Sequence, residues 1–198
     1  RRIAQPRWSP DGRSILLAGQ GYASDGYSLF RVDVETDEMA LLLSSSGGES
    51  ITAHEWAADG DAFYFVRRSM TELVARIVIR EVESGREEEL YQTSNVRVRL
   101  SCSSDGQWLA FAERNSGTLM IMPAGGGTPR ELYRSDQEGT ALVTLDWTTD
   151  SGSILFVEGK QGAEDFSLCR ISREGRELQR HPLNMQIDDL SVHPDGQR

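Results

Sequence analysis

Cysteine, histidine and long apolar runs are scarce in this chain, and each scarcity removes a class of function. The two cysteines, Cys102 and Cys169, give neither the framework of a disulfide-stapled domain nor a metal-ligand spacing. Both are expected to be buried free thiols. The three histidines, His54, His181 and His193, form no His-x-Glu-x-x-His or His/Cys cluster, so no metal site is expected and surface or turn positions are. The longest apolar stretches, such as Met39-Ala40-Leu41-Leu42-Leu43, have strand length. They fall short of the roughly 18–20 residues that a membrane-spanning helix needs, so membrane insertion is not expected. Gly-x-Ser-x-Gly, a Walker loop and a dinucleotide fingerprint are also missing. Gly125-Gly126-Gly127 leads into a strand pattern rather than a helix. No catalytic residue and no cofactor is assigned.

Basic clusters are lacking too. Lys and Arg number 21 against 31 Asp and Glu, a net charge of −10. Arg67 and Arg68, Arg97 and Arg99, and Arg130 and Arg134 are scattered among acids, so a groove for nucleic acid is not expected. The chain opens Arg1-Arg2-Ile3 with no initiator Met and no signal-peptide pattern, which leaves the compartment open.

What the chain does contain is one turn written five times. It reads Trp8-Ser9-Pro10-Asp11-Gly12, Trp56-Ala57-Ala58-Asp59-Gly60, Cys102-Ser103-Ser104-Asp105-Gly106, Trp147-Thr148-Thr149-Asp150-Ser151-Gly152 and Val192-His193-Pro194-Asp195-Gly196. The aspartates are spaced by 48, 46, 45 and 45 residues. Asp-Gly between apolar runs is a hairpin signal, because Gly accepts positive φ and Asp bonds its own backbone. Around each turn lie a short first strand, a more apolar second strand such as Ala62-Phe63-Tyr64-Phe65-Val66, an alternating third and a polar fourth. Four strands at a period of roughly 40 to 50 residues describe a β-propeller blade.

The expected fold is therefore all-β, a β-propeller of four-stranded antiparallel blades. Four complete blades cover residues 3–44, 51–92, 96–134 and 142–181, and a partial blade covers 187–198. The whole chain, 1–198, is expected to be a single propeller segment. A lone fifth first strand would leave backbone groups unpaired, so the parent is expected to be a larger, six- to eight-bladed ring. Asp11, Gly12, Asp59, Gly60, Asp105, Gly106, Asp150, Gly152, Asp195 and Gly196 are assigned to turn structure, not to a metal ring, because sites one blade apart cannot share a cation. Trp8, Trp56 and Trp147 recur in one slot and are expected to pack blade on blade, with Trp108 also in the core.

Pro6-Arg7-Trp8-Ser9-Pro10-Asp11-Gly12-Arg13 followed by an apolar strand resembles the Pro-Asp-Gly repeat of TolB-type, WD-repeat-like propellers. Leu119-Met120-Ile121-Met122-Pro123-Ala124-Gly125-Gly126-Gly127-Thr128-Pro129-Arg130-Glu131-Leu132 resembles the second half of that repeat. The sequence departs from the pattern at Ala57-Ala58, Ser103-Ser104 and Thr148-Thr149, and Ser151 interrupts Asp-Gly. The resemblance implies a periplasmic or extracytoplasmic scaffold that contacts a protein partner. It equally implies the propeller that gates a prolyl-oligopeptidase-like or dipeptidyl-peptidase-like hydrolase. A ligand-sensing propeller fused to a bacterial regulator or kinase is the third implication.

Function is expected in the variable loops opposite the Asp-Gly turns, since connections on a rigid scaffold carry recognition. The candidate binding residues are Tyr22, Asp25, Arg68, Arg114, Asp136, Glu138, Lys160, Glu164 and Asp165. The leading expectation is a non-catalytic module for a protein or peptide partner, with acidic loops favouring a basic one. Open blade edges could also let two chains associate.

Overall fold

The computed structural model describes residues 3–20, 27–45, 47–113, 116–160, 165–183, 185, 187 and 189–192. Among them there are sixteen strands and no α-helix. The first sheet contains β1 (Ile3–Trp8), β2 (Ser14–Gln20), β3 (Tyr27–Asp33) and β4 (Met39–Ser44). The second contains β5 (Glu49–Trp56), β6 (Ala62–Ser69), β7 (Val74–Glu81) and β8 (Glu87–Thr93). The third is built of β9 (Val98–Cys102), β10 (Trp108–Glu113), β11 (Thr118–Pro123) and β12 (Arg130–Arg134). The fourth is built of β13 (Thr140–Trp147), β14 (Ser153–Lys160), β15 (Phe166–Ser172) and β16 (Gln179–Leu183). Each is an antiparallel meander in chain order, a four-stranded blade. The chain divides into two compact units of two blades each, Arg1–Val96 and Arg97–Arg198.

The repeated turn has one chemistry. Asp11, Asp59, Asp105 and Asp150 each accept, through Oδ1, the backbone N–H two residues on, at 2.9–3.0 Å. In three of the four, a hydroxyl two residues earlier (Ser9, Ser103 or Thr148) also donates to that oxygen at 2.6 Å. These donors hold the Asp11, Asp105 and Asp150 carboxyls below the ordinary value of 3.8, the hydroxyl being the largest cause. Gly12, Gly60 and Gly106 supply the left-handed residue at φ 70°, 78° and 69°. The fourth turn corrects the sequence reading. Ser151, not Gly152, takes that position at φ 55°, and Gly152 stands where the other repeats have Arg13, Asp61 and Gln107. Ser151 is buried, and its Oγ accepts the backbone N–H of Asp105 in the neighbouring blade at 3.0 Å. That bond offsets the cost of a left-handed non-glycine residue. Asp195, Gly196 and His193 lie outside the described residues.

Within the first unit, Leu16, Ala18 and Leu29 of one blade pack against Trp56, Phe63, Phe65 and Val78 of the next. Within the second, Ala110, Ala112, Leu119 and Ile121 pack against Trp147, Ile154, Phe156, Cys169 and Ile171, with Trp108 at the margin. The slot tryptophans Trp56 and Trp147 are 4% and 3% exposed, but Trp8 is 59% exposed. The expectation that Trp8 packs between blades is therefore corrected: no blade of this chain lies over it within its unit. His54 is another correction, buried at 3% beside the register shift between Ile51 and His54. Cys169 is a buried free thiol, whereas Cys102 is only half-buried.

Candidate functional site

The ends of the fourth blade away from its Asp-Gly turn form a cleft of about 350 Å³. Its walls come from the β12–β13 connection (Ser135, Gln137), from Thr140, from Glu158, Gly159 and Lys160 at the end of β14, and from Asp165, Phe166, Ser167, Pro182 and Leu183. Register brings these together, because Thr140 pairs with Lys160, Glu158 with Ser167 and Gly159 with Phe166, and Phe166 with Leu183. Gly159 has a steric role. A Cβ there would lie 2.4 Å from Phe166 Cδ1, so the aromatic ring can lie on this backbone only because no side chain intervenes.

Glu158, which lines the cleft, centres a polar network with buried Tyr133 and Cys169 and the exposed Arg180. Glu158 Oε1 accepts from Arg180 Nε at 2.8 Å, and Glu158 Oε2 accepts from the Tyr133 hydroxyl at 2.5 Å. Arg180 Nη2 donates in turn to the Tyr133 oxygen at 2.5 Å, and Cys169 Sγ donates to Glu158 Oε1 at 3.5 Å. Every Glu158 oxygen thus has a donor, as a buried carboxylate requires. Burial, then donation to Glu158, pushes the Tyr133 hydroxyl up to about 12. Burial, then the Glu158 charge, pushes the Cys169 thiol up to about 12. The guanidinium of Arg180 is raised by its bond to Tyr133. A thiol with so little thiolate at neutral pH is a poor nucleophile, so this cluster clasps β12 to β14 and β16.

The equivalent position in the first unit inverts the charge. Arg67 on β6 stands where Glu158 stands on β14, pairing with Glu87 at 2.7 Å and Glu49 at 3.5 Å. The hollow beside it, lined by Leu43, Ser44, Ser45, Glu49, Ser50, Ile51 and Arg67, is only about 100 Å³.

The candidate binding residues fall out unevenly. Lys160 and Asp165 line the larger cleft. Asp136 and Glu138 are exposed on the β12–β13 connection that forms one wall, and Asp136 Oδ1 is 4.0 Å from Arg180 Nη2. Arg68 stands apart: it lies on β6, which runs to Ser69, and its Nε donates to Ser50 Oγ at 3.1 Å. Tyr22, Asp25, Arg114 and Glu164 lie outside the described residues. Sequence reasoning missed Tyr133, Glu158 and Arg180. A carboxylate closing the apolar run Ile154-Leu155-Phe156-Val157 was the available signal. Among the described residues no group of three or more His, Cys, Asp or Glu side chains could hold a metal ion, and no helix is long and apolar enough to cross a membrane.

No family model matches the sequence, and no curated protein matches it significantly. Solved structures do match. TolB from Acinetobacter baumannii superposes with a TM-score of 0.74 at 14% identity, over 92% of this chain and 44% of its own. A prolyl endopeptidase structure gives 0.67 at 13% identity, over 90% of this chain and 29% of that one. A chain of a nidogen/laminin complex gives 0.65 at 10% identity, over 84% and 60%. The chain thus spans less than half the length of the TolB structure it matches. Four consecutive four-stranded meanders, the recurring Asp-Gly turn and these superpositions give one architecture: the chain has the fold of a TolB-like β-propeller.

Proposed function

We propose that this chain is a non-catalytic recognition module, one continuous segment of a larger propeller, and that the cleft at the end of the fourth blade receives a basic segment of a protein partner. The observation that carries this reading is the cleft itself. It has a polar lining that includes the fully bonded Glu158, with the exposed acid Asp165 in its wall and the exposed acids Asp136 and Glu138 on the connection that supplies Ser135 and Gln137. A net charge of −10 steers basic partners toward the module and makes association salt-dependent. The nidogen/laminin likeness supports docking on such a scaffold. The prolyl endopeptidase likeness keeps a second reading, in which the propeller gates a hydrolase segment elsewhere in the parent.

A phage-displayed library of random peptides panned on the chain tests the first reading. Lys- or Arg-bearing peptides are expected to enrich and to weaken as salt rises. Asp136→Lys with Glu138→Lys should abolish their binding, with no change in the melting temperature. No enrichment, or peptides indifferent to both substitutions, would overturn it.

A further inference from the structure

The cleft at the end of the fourth blade holds two opposite charges that do not meet. Lys160 and Asp165 both line it and both are exposed. Among the described residues neither has an ion-pair partner, and they do not pair with each other. The third charge of the lining, Glu158, is already committed to Arg180 and Tyr133. The rest of the lining is neutral.

Cross-strand register says which side of the sheet these groups occupy. Glu158 and Lys160 are two residues apart on β14, so they project from one face. Thr140 stands opposite Lys160 and Ser167 opposite Glu158. This face is turned to the third blade, because Glu158 takes the Tyr133 hydroxyl from β12. The other face, with Val143, Val157 and Phe166, is the one on which Ile187 packs. Lys160 therefore stands at the seam between two blades of the same unit, and a sheet stacked on the far side of the fourth blade does not cover it.

A purely cationic segment would be drawn to Asp165 and repelled by Lys160. A ligand that satisfies both charges carries both signs. The net charge of −10, with exposed Asp136 and Glu138 on the adjoining connection, selects the basic members of that class. A protein chain offers the combination in one place, at a carboxy-terminal Lys or Arg, where the α-carboxylate and the basic side chain belong to one residue. The Ser167 hydroxyl, half-buried in the same wall, is a further donor for a carboxylate.

We infer that the cleft captures a carboxy terminus. The last residue of the partner is Lys or Arg, with its α-carboxylate on Lys160 and Ser167 and its side chain on Asp165. This rests on the reading of the cleft as the seat of a basic partner segment, and it names which part of the partner that segment is.

Fluorescence anisotropy of a dye-labelled pentapeptide ending in arginine, prepared as the free acid and as the C-terminal amide, tests this on the 198-residue chain at low salt. The free acid is expected to bind about tenfold more tightly, the worth of one hydrogen-bonded charge. Lys160→Gln should erase that preference, and Asp165→Asn should weaken both forms alike. Both substitutions are at exposed positions, so the melting temperature should stay where it is. If the amide binds the unaltered chain as tightly as the free acid, the cleft takes a basic segment but not a terminus, and the inference falls alone. A preference for the free acid that survives Lys160→Gln also overturns it. If neither peptide binds, the reading of the cleft falls with it.

Discussion

The Trp147 indole N–H points at the Ser101 carbonyl across 3.1 Å, and Trp56 makes the same bond to Arg7 at the same distance. Two blade interfaces thus use one donor and one acceptor in one register, with the ring buried around the bond. Trp147→Phe should cost about 1 kcal/mol for the lost hydrogen bond, and Trp147→Ala about 3–5 kcal/mol for the ring and its cavity. Trp8→Ala in the 198-residue chain should change stability by less than about 0.5 kcal/mol, as expected of an exposed site. Urea unfolding of the three variants checks the order. A Trp8→Ala cost equal to that of Trp147→Ala would show that Trp8 is buried in solution.

Ser151 holds a left-handed conformation that glycine would adopt more easily, and its hydroxyl bonds the Asp105 backbone. Two substitutions separate these effects. Ser151→Ala keeps the strain and removes the bond to the Asp105 N–H, a loss of about 1 kcal/mol. Ser151→Gly loses the same bond but recovers about 1 kcal/mol of backbone strain, so it should be the more stable of the two. Thermal unfolding of both proteins reads the difference, and equal stabilities would refute the strain argument.

The Tyr133–Glu158–Arg180 network makes stability fall in alkali. Tyr133 and Cys169 hold their protons up to about 12 in the folded chain, against ordinary values of 10.0 and 9.0. The unfolded chain releases those protons first, so their contribution is complete below pH 9 and drains away between pH 9 and 12. Tyr133→Phe should flatten the 10-to-12 part of that decline in a pH series of urea midpoints. It should also lower stability near neutrality by about 1–3 kcal/mol, because a buried carboxylate loses a donor. In the unaltered chain Cys169 should resist iodoacetamide at pH 8, and rapid modification of the folded protein would contradict its environment.

Acid acts with the opposite sign. Asp11, Asp105 and Asp150 are held below 3.8 by their hydroxyl and backbone donors. What they contribute is present above that value and is lost as pH falls through their lower folded values. Ser103→Ala removes the leading cause at Asp105. NMR titration should then show the Asp105 carboxyl moving up toward 3.8, while Asp11 and Asp150 stay in place.

Fold and site differ in how much of each is written locally. Asp-Gly spacing and the alternating third strands disclosed the blades, because turn chemistry and period-two patterning act over a few residues. Ser151 was misread for a local reason: Gly152 follows it at once, and only the backbone shows which of them is left-handed. The register shifts at Ile51–His54 and Leu142–Thr144 have no composition of their own, so His54 passed for a surface residue. Lys160 and Asp165 were visible as loop residues beside the cleft. Glu158 was hidden because its partners Arg180 and Tyr133 lie 22 and 25 residues away, and nothing in a single strand announces them.

The polar bonds that cross from one blade to the next have a consequence for assembly. Apolar blade faces are nearly interchangeable, since each offers aromatic and aliphatic side chains at the same spacing. The polar partners are not: Arg7 meets Glu55, Ser101 meets Asp146 and Tyr133 meets Glu158 from one blade to the next, whereas Arg67 with Glu49 and Glu87, and Glu158 with Arg180, pair within their own blades. A stack in which a blade exchanged neighbours would leave Glu55, Asp146 or Glu158 short of a donor, at about 1–3 kcal/mol each. The repeated apolar surface lets any blade adhere, and these few cross-blade donors favour one order in which the blades queue.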